Sequence, residues 1–203
     1  DANGFYFFAN LGPGNYVVAF NTPTGMLPSP SNQGTNDAVD SDPVGGVVNV
    51  TLAASEVNDT VDAGFYNLLK LGNAVWLDIN NNGLKDANEP AVSGATVNLY
   101  RDTNGDNIVD GAAIATTTTD ANGNYLFANL TPDNYIVGVV LPVGYTANAT
   151  TVTSSDPNND TDNDNNGITT VSGEVRSNKI TLTVGGEPSE GGSLNNTLDF
   201  GLK

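Results

Sequence analysis

The sequence predicts an all-β protein made of β-sandwich repeats, one complete and one partial. Apolar residues make up 38% of the 203-residue chain and fall in short alternating runs. Clusters of Asn, Asp, Gly and Pro separate these runs, as in a chain of short strands joined by polar turns. A stretch at the start of the sequence also recurs later in the chain, which indicates tandem units.

The internal repeat is the strongest organisational signal. Residues 1–20, DANGFYFFANLGPGNYVVAF, align without gaps on residues 120–139, DANGNYLFANLTPDNYIVGV, with 13 of 20 positions identical. The segments VDAGF at 61–65 and LDFGL at 198–202 also correspond, and each closes a segment with an apolar strand. Both matches indicate that the same structural unit occurs twice.

These matches set the boundaries of the two units. A complete sandwich repeat spans residues 71–203. Residues 1–70 are the C-terminal part of a second repeat, because they contain nothing equivalent to residues 71–119. A sandwich without its first strands exposes unpaired edge amides and an open apolar face. Either the chain is a piece of a longer array of neighbouring repeats, or other copies donate the strands by exchange in a filament.

Eight strands and no substantial helix are predicted in the complete unit. Each is a short run of β-branched, aromatic or alternating apolar residues between turn residues. The strands are expected near 72–77, 95–101, 112–119, 124–128, 134–141, 168–171, 179–184 and 197–202. Because side chains alternate across a sheet, Tyr135, Val137, Val139 and Leu141 should share one face and help to build the core.

Two aromatic residues in these strands have two interpretations. Trp76 and Tyr100 would serve as binding platforms if they were exposed on one surface. An aromatic residue among strand residues is more often a packing residue, which is the interpretation favoured here. In the strand of Tyr100, Val97 and Leu99 should face the core.

The composition excludes several classes of function. The chain carries 23 Asp and Glu against 6 Lys and Arg, a net charge of -17, which argues against nucleic acid and anionic membranes as partners. No run approaches the roughly 20 apolar residues needed for membrane insertion. Cys and His are absent, which excludes disulfides, thiol nucleophiles, the usual zinc sites and Ser-His triads.

The first acidic segment, residues 78–89 (DINNNGLKDANE), has the spacing of an EF-hand calcium loop. Alternate residues of a tight loop point at one ion, and Gly83 permits the sharp turn. Asn81 should point outward, and the alternative for the whole segment is a solvated turn. The predicted calcium ligands are Asp78, Asn80, Asn82, the carbonyl of Leu84, Asp86 and Glu89.

A second segment, residues 102–110 (DTNGDNIVD), repeats the same alternation of oxygen ligands. No acidic residue follows at the twelfth position, so a closing ligand must come from elsewhere in the fold. The alternative is a polar hairpin loop with Asn-Gly and Asp-Gly turns. The predicted calcium ligands here are Asp102, Asn104, Asp106, the carbonyl of Ile108, and Asp110.

A third segment, residues 156–167 (DPNNDTDNDNNG), places acidic residues at two-residue spacing. Unneutralised carboxylates so close together repel one another, so either a cation gathers them or the loop is mobile and solvated. The predicted ligands are Asp160, Asp162 and Asp164. The partial unit has acids at a comparable place but with weaker spacing, at Asp37, Asp40 and Asp42.

Together, these motifs resemble a known family. The frame LGNAVWLDINNNGLKDANEPAVSGATVNLY, followed by TTTDANGNYLFANL, PVGY, DNDNNG and LDFGL, is similar to the B-type repeats of serine-aspartate-repeat adhesins, within the collagen-adhesin B-type superfamily. The resemblance covers residues 71–203 and, in truncated form, 1–70. It implies an Ig-like, prealbumin-like sandwich, calcium in the acidic loops, and a stalk that projects a binding domain away from a bacterial cell.

The favoured function is therefore a calcium-stabilised structural stalk or spacer of a secreted or cell-surface protein. The alternative is a module that binds carbohydrate or protein, which should show several exposed aromatic residues or a basic patch. The chain has a single Trp and few cations. A glycosidase needs two carboxylates about 5–10 Å apart in a cleft, whereas these acids have calcium-ligand spacing in loops, so the chain is not expected to be an enzyme.

Overall fold

The computed structural model, which describes residues 1–147 and 156–203, consists of strands joined by turns and irregular loops. No helix occurs in these two ranges, and hence none long and apolar enough to cross a membrane. The described chain divides into unit 1, Asp1–Asn67, and unit 2, Leu68–Lys203. The prediction of an all-β fold is confirmed.

Fourteen strands, numbered in chain order, occur in the described ranges. They are β1 (Gly14–Ala19), β2 (Met26–Pro28), β3 (Val47–Leu52), β4 (Phe65–Asn67), β5 (Leu69–Leu77), β6 (Thr96–Arg101), β7 (Ala115–Thr118), β8 (Asn124–Leu130), β9 (Asp133–Val140), β10 (Gly167–Val171), β11 (Glu174–Ser177), β12 (Ile180–Leu182), β13 (Leu194–Asn195) and β14 (Phe200–Leu202).

Unit 2 consists of two sheets. The larger is antiparallel, with the strand order β10-β11-β9-β6-β7 and β12 paired to β9. In the smaller sheet, β5 pairs antiparallel with β8 and parallel with both β13 and β14. The nine-residue β5 is therefore the central strand of the smaller sheet.

The core of unit 2 is formed by the apolar side chains that alternate along these strands. Val97 and Leu99 of β6 are fully buried, as the alternation predicts. Tyr135, Val137 and Val139 of β9 are buried in the same cluster of side chains, together with residues of β5, β8 and β14. The two sheets thus share one core, as in a β-sandwich.

Trp76 and Tyr100 are both buried, which confirms their interpretation as packing residues. The Tyr100 hydroxyl donates to the Glu174 carboxylate at 2.9 Å, and the Arg176 guanidinium carbon lies 4.8 Å from the centroid of the Tyr100 ring. Burial, followed by the bond to Glu174, raises the pKa of Tyr100. A Cβ atom at Gly138 would lie 2.5 Å from Glu174 Cδ, so this polar cluster requires glycine there.

Two strands of unit 2 are absent from the sequence prediction. In β11, Glu174 and Arg176 hide the strand pattern, but their side chains neutralise each other through a 2.5 Å hydrogen bond. The two-residue β13, at Leu194–Asn195, is too short to show any periodicity. The strand β11 pairs with its sequence neighbour β10 and with the more distant β9, whereas β13 pairs with the distant β5.

Unit 1 has only two short ladders, β1 with β3 and β2 with β4, both antiparallel. Residues 5–11, which align with β8 of unit 2, form no strand. In unit 2, β8 pairs with β5, and residues 1–67 contain no counterpart of β5. The same sequence motif therefore has different secondary structure in the two units.

The burial pattern predicts unequal effects of two leucine substitutions in adjacent strands. Leu71→Ala removes a fully buried side chain from β5 and should lower the free energy of unfolding by about 2–5 kcal/mol. Leu126→Ala changes a half-exposed residue of β8 and should cost less than about 1 kcal/mol. Urea unfolding followed by tryptophan fluorescence measures both, because Trp76 is the single Trp of the chain. Equal losses would contradict the assignment of the inward face.

Candidate metal sites

The first acidic loop, residues 78–89, begins where β5 ends. The Asp78 N–H donates to the Leu202 carbonyl at 2.7 Å, which fixes the start of the loop to β14. The buried Asp78 carboxylate accepts N–H bonds from Asn82 at 3.1 Å and Gly83 at 2.7 Å. Gly83 has φ of 78°, a left-handed conformation that favours glycine. The backbone therefore turns tightly around the Asp78 carboxylate.

Further side chains of this loop also turn inward. Asn80 Oδ1 accepts the Asn82 N–H at 3.0 Å, and Asn82 Oδ1 accepts the Leu84 N–H at 2.7 Å. The side-chain amides of Asn80 and Asn82 both donate to Asp86 Oδ2, at 2.8 and 2.9 Å. The structure thus brings together the side chains of Asn80, Asn82 and Asp86.

Glu89 closes the loop onto its own beginning. Its Oε1 accepts the Ile79 N–H at 2.8 Å, and its Oε2 accepts the Asp86 N–H at 3.1 Å. The expectation for Asn81 is wrong, because its Oδ1 is buried and does not point outward. Asn81 has φ of 57°, and this left-handed conformation interrupts the simple alternation of side chains.

The second acidic loop, residues 102–110, turns in the same way as the first. The buried Asp102 carboxylate accepts N–H bonds from Gly105 at 2.9 Å, Asp106 at 3.1 Å and Asn107 at 2.9 Å. Asn107 occupies the sixth position, as Gly83 does in the first loop, and it is also left-handed, with φ of 64°. An acid at position 1 therefore organises the backbone of both loops.

The remaining oxygens of the second loop are oriented by the same kind of bond. Asn104 Oδ1 accepts the Asp106 N–H at 3.1 Å, and Asp106 Oδ1 accepts the Ile108 N–H at 2.9 Å. Asp110 Oδ2 accepts from both the hydroxyl of Thr103, at 2.5 Å, and its N–H, at 2.8 Å. The bond from the Thr103 hydroxyl lowers the pKa of Asp110, so the ionised form is favoured.

The third acidic loop, residues 156–167, docks against the first. The Lys85 N–H donates to the Asn163 carbonyl, and the Asn165 N–H donates to the Gly83 carbonyl, both at 2.9 Å. These two bonds join segments that are about 80 residues apart in sequence. The position of the third loop therefore depends on the conformation of the first.

The three predicted ligands of the third loop do not converge. Asp160 and Asp162 are exposed, whereas Asp164 is buried, and burial raises the pKa of Asp164 to about 6. Asp162 Oδ1 accepts a bond from the Asn73 side-chain amide at 2.6 Å. Asp164 Oδ1 accepts from Asn166 Nδ2 at 3.4 Å. Their carboxylates do not form a set within 4.8 Å of one another.

Asp199, which the sequence analysis did not assign to a site, anchors the third loop to β5. Its carboxylate accepts bonds from the Ala74 N–H at 3.1 Å, Asn73 Nδ2 at 3.0 Å and the Asn163 N–H at 2.9 Å. Its backbone also exchanges two bonds with Asn166, at 2.8 and 2.9 Å. The sequence feature that could have identified Asp199 is the acid that the closing motifs VDAGF and LDFGL share at their second position.

In unit 1, Asp37, Asp40 and Asp42 form a closer cluster. Among the described residues, they are the one set of three carboxylates whose oxygens lie within 4.8 Å of one another. Asp40 Oδ1 is buried without a hydrogen-bond partner. Burial, and then the charges of Asp42 and Asp40, raise the pKa of nearby Asp62. This cluster therefore has uncompensated negative charge.

The ligand chemistry of these loops fits a hard divalent cation. The first and second loops offer carboxylate, amide and carbonyl oxygens, which calcium prefers. An oxygen that accepts one N–H bond keeps a second lone pair for an ion. The described Lys and Arg side chains form no ion pairs with the predicted ligands. Their ion pairs in the described ranges are Lys70–Glu190, Arg101–Asp133 and Arg176–Glu174.

Comparison with known proteins reveals a family match along nearly the whole chain. The family model described as SdrD B-like domain matches residues 1–65 and 69–202. Serine-aspartate repeat-containing protein D of Staphylococcus aureus strain Newman is 39% identical over 186 residues, which cover 91% of this chain and 13% of that protein. Serine-aspartate repeat-containing protein F of Staphylococcus epidermidis strain ATCC 12228 is 40% identical over 172 residues, 84% of this chain and 10% of that protein.

A solved structure also aligns with the chain. The major pilin subunit BcpA of Bacillus cereus is 14% identical, with a TM-score of 0.32, over 95% of this chain and 60% of the pilin chain. The chain thus spans a small fraction of the two repeat-containing relatives and more than half of the pilin.

The burial of Asp199 predicts a dependence of stability on pH. Burial raises the pKa of Asp199 from 3.8 to about 8, so between these values the folded protein holds a proton that the unfolded chain releases. Its contribution to stability is therefore greatest below about pH 4 and falls as the pH rises to about 8. Asp199→Asn removes this titration, so the wild type should lose stability relative to the variant over that range.

Urea unfolding in chelator at several pH values from about 4 to about 8 measures this difference. Asp160→Asn removes an exposed carboxylate from the third loop and controls for the change in net charge. A constant stability difference between wild type and Asp199→Asn across the range would show that Asp199 does not take up a proton on folding.

Proposed function

The chain belongs to the SdrD B-like domain family, and from this membership we propose that it is a structural stalk repeat of a bacterial surface adhesin, stabilised by calcium. Its matched relatives are long serine-aspartate repeat-containing proteins, of which it spans 13% and 10%. A sandwich domain that recurs along a chain acts as a spacer, because each copy adds a rigid length between the cell and a distal domain. Neighbouring repeats are the proposed partners, and no catalytic role is assigned.

The observation that carries the calcium proposal is the shared geometry of the first two loops. In each loop a buried acid at position 1, Asp78 or Asp102, accepts N–H bonds from positions 5 and 6. In each loop the side-chain oxygens at positions 3 and 5 also accept N–H bonds from two residues further along. The two loops share these bonds because they share the spacing of Asp and Asn oxygens, and that spacing is the one a calcium loop requires.

Within this proposal, residues at the same loop positions hold the ion in both loops. Side-chain oxygens at positions 1, 3, 5 and 9 and the carbonyl at position 7 supply ligands, and Glu89 adds a carboxylate to the first loop. Calcium would supply positive charge to carboxylates that no described Lys or Arg neutralises. Because the third loop bonds to the first at Gly83 and Lys85, ion binding in the first loop would also stabilise the third.

The acidic cluster of unit 1 supports a cation there as well. Asp37, Asp40 and Asp42 lie close enough for one ion to contact all three, and Asp40 has a free buried oxygen. Like charges at this separation destabilise the folded state unless they are protonated or neutralised. A bound cation would remove that repulsion in unit 1.

Removal of calcium should destabilise the protein strongly. At a free calcium concentration 100 times the dissociation constant, each site adds about 2.7 kcal/mol to stability. Two or three sites would add an amount comparable to the whole stability of a domain, about 5–15 kcal/mol. Chelation should therefore lower the melting temperature and increase proteolysis within the acidic loops.

Thermal melting and small-angle scattering of the 203-residue chain with calcium, with chelator and with magnesium test this. Magnesium should rescue poorly, because it requires octahedral geometry at short distances and seldom uses an all-protein set of ligands. If chelator changes neither the melting temperature nor the dimensions of the protein, the calcium part of the proposal is wrong, although the stalk role is not.

A matched pair of variants tests the ligand assignment in the first loop. Glu89→Gln replaces a charged, two-oxygen ligand with a neutral amide that has one oxygen. The affinity of that site should fall at least about tenfold, which corresponds to about 1.4 kcal/mol. Asn88→Ala changes the exposed neighbouring side chain, which is not a predicted ligand, and should leave affinity nearly unchanged. Calorimetric titration with calcium compares the two. Equal affinities would exclude the EF-hand register, although not calcium binding elsewhere.

A further inference from the structure

Lys179 lies against the second acidic loop from a distant part of the sequence. It belongs to the short connection between β11 and β12, whereas the loop spans residues 102–110. A Cβ atom at Gly105 would lie 3.7 Å from Lys179 Cε and 3.8 Å from Lys179 Nζ. The lysine side chain therefore lies close to the backbone at the fourth position of the loop, and it brings a positive charge to a segment rich in carboxylates.

The backbone of Lys179 is fixed by hydrogen bonds to two of the acidic loops. Its N–H donates to Asn107 Oδ1 in the second loop at 2.9 Å. Its carbonyl accepts a bond from Asn158 Nδ2 in the third loop at 3.0 Å. Asn158 Oδ1 accepts the Thr181 N–H at 2.7 Å, and Thr181 belongs to β12, which pairs with β9. The position of Lys179 is therefore set by the fold around it.

The first and second loops differ in residue type at the two positions that contact Lys179. Positions 4 and 6 are left-handed in both loops, with φ of 57° and 78° at Asn81 and Gly83 and of 75° and 64° at Gly105 and Asn107. The first loop thus has Asn and then Gly, whereas the second has Gly and then Asn. In the second loop, glycine at position 4 lets the Lys179 side chain approach the backbone, and Asn107 supplies the acceptor for its N–H.

The ammonium group of Lys179 forms no ion pair with another described acid. The ion pairs of Lys and Arg in the described ranges are Lys70–Glu190, Arg101–Asp133 and Arg176–Glu174. Lys179 is also half-buried, so water screens its charge less than that of a fully exposed lysine. Its charge therefore acts on the second loop through space, at a distance greater than that of a direct ion pair.

A fixed positive charge has opposite effects on the two states of this loop. Without a metal ion, the carboxylates of Asp102, Asp106 and Asp110 repel one another, and a nearby cation offsets part of that repulsion. With a divalent cation bound, the same ammonium group repels the ion. A lysine at this position should therefore stabilise the ion-free loop and lower its affinity for a cation.

We propose that Lys179 sets the calcium affinity of the second loop by acting as a built-in counter-charge with which calcium must compete. This inference rests on the proposed calcium site in residues 102–110 and assigns a role to a residue outside that site. At a separation of several Å beyond contact in a largely aqueous medium, the charge should weaken calcium binding about threefold to tenfold. In return, the loop keeps its conformation when calcium is scarce.

Lys179→Gln tests the proposal in the full 203-residue chain, because it removes the charge and keeps the backbone N–H that bonds to Asn107. NMR titration with calcium chloride follows the amides of Gly105, Asp106 and Asn107, which donate to the Asp102 carboxylate. The midpoint should shift to about threefold to tenfold less calcium in the variant. In chelator, the same amides should exchange with solvent at least about threefold faster than in the wild type.

Two control variants separate the charge of Lys179 from its packing. Lys179→Arg keeps the charge, so its midpoint should lie within about twofold of the wild type. Lys70→Gln makes the same change in net charge at a lysine that pairs with Glu190, and it should leave the midpoint and the exchange rates unchanged.

The dependence on salt gives a second test of charge against packing. Raising the ionic strength from about 0.01 M to about 0.15 M shortens the Debye length from about 30 Å to about 8 Å. The difference in midpoint between wild type and Lys179→Gln should therefore shrink as salt is added. A difference that salt leaves unchanged would show that Lys179 acts through packing, and it would overturn the proposal.

Other results would also overturn the proposal. Equal midpoints in wild type and Lys179→Gln, or an equal shift in Lys179→Gln and Lys179→Arg, would refute the role of Lys179 and leave the calcium site intact. Unchanged or slower exchange of the variant in chelator would refute the counter-charge. The absence of any calcium response at Gly105, Asp106 and Asn107 in the wild type would instead remove the proposed calcium site, and this inference with it.

Discussion

Strand β5 is the element on which the rest of unit 2 depends. Both of its edges are paired, with β8 on one side and with β13 and β14 on the other. Leu71 and Val75 lie in the core, and Trp76 is also fully buried. Its end leads directly into the first acidic loop, and its Asn73 and Ala74 hold the Asp199 carboxylate that anchors the third. One strand thus connects the hydrophobic core to the acidic loops.

Hydrogen bonds from backbone amides shape those loops but do not neutralise them. Asp78, Asp102 and Asp199 are buried and each accepts at least two N–H bonds, which orient the carboxylates and define the turns. With a net charge of -17, the chain has far fewer cationic side chains than acids. Buried charge is costly without a counter-charge, so the acids at the ligand positions give a bound cation a structural role in this proposal.

The sequence predicted those features that depend on local spacing. The alternation of Val97 with Leu99 determined the inward face of β6, and the oxygen spacing in residues 78–89 and 102–110 corresponds to shared turns around Asp78 and Asp102. Features that depend on distant partners were missed. The role of Asp199 depends on hydrogen bonds from the N–H groups of Asn163 and Ala74, and neither residue is near Asp199 in sequence. The calcium ligands themselves stay a prediction.

The strand β11 and the acids of the third loop show why alternation alone was insufficient. In β11, charged side chains at Glu174 and Arg176 interrupt the apolar pattern, yet their ion pair and the hydroxyl of Tyr100 make the strand compatible with burial. In the third loop, the two-residue spacing of Asp162 and Asp164 suggested convergence. Backbone pairing with the first loop buries Asp164 and leaves Asp162 exposed, so tertiary contacts decide the outcome. The repeat shows the same dependence at a larger scale: a nearly identical motif becomes β8 in unit 2, where β5 supplies its hydrogen-bond partners, and forms no strand in unit 1. Strand formation here is therefore a property of the completed sheet and not of the sequence motif alone.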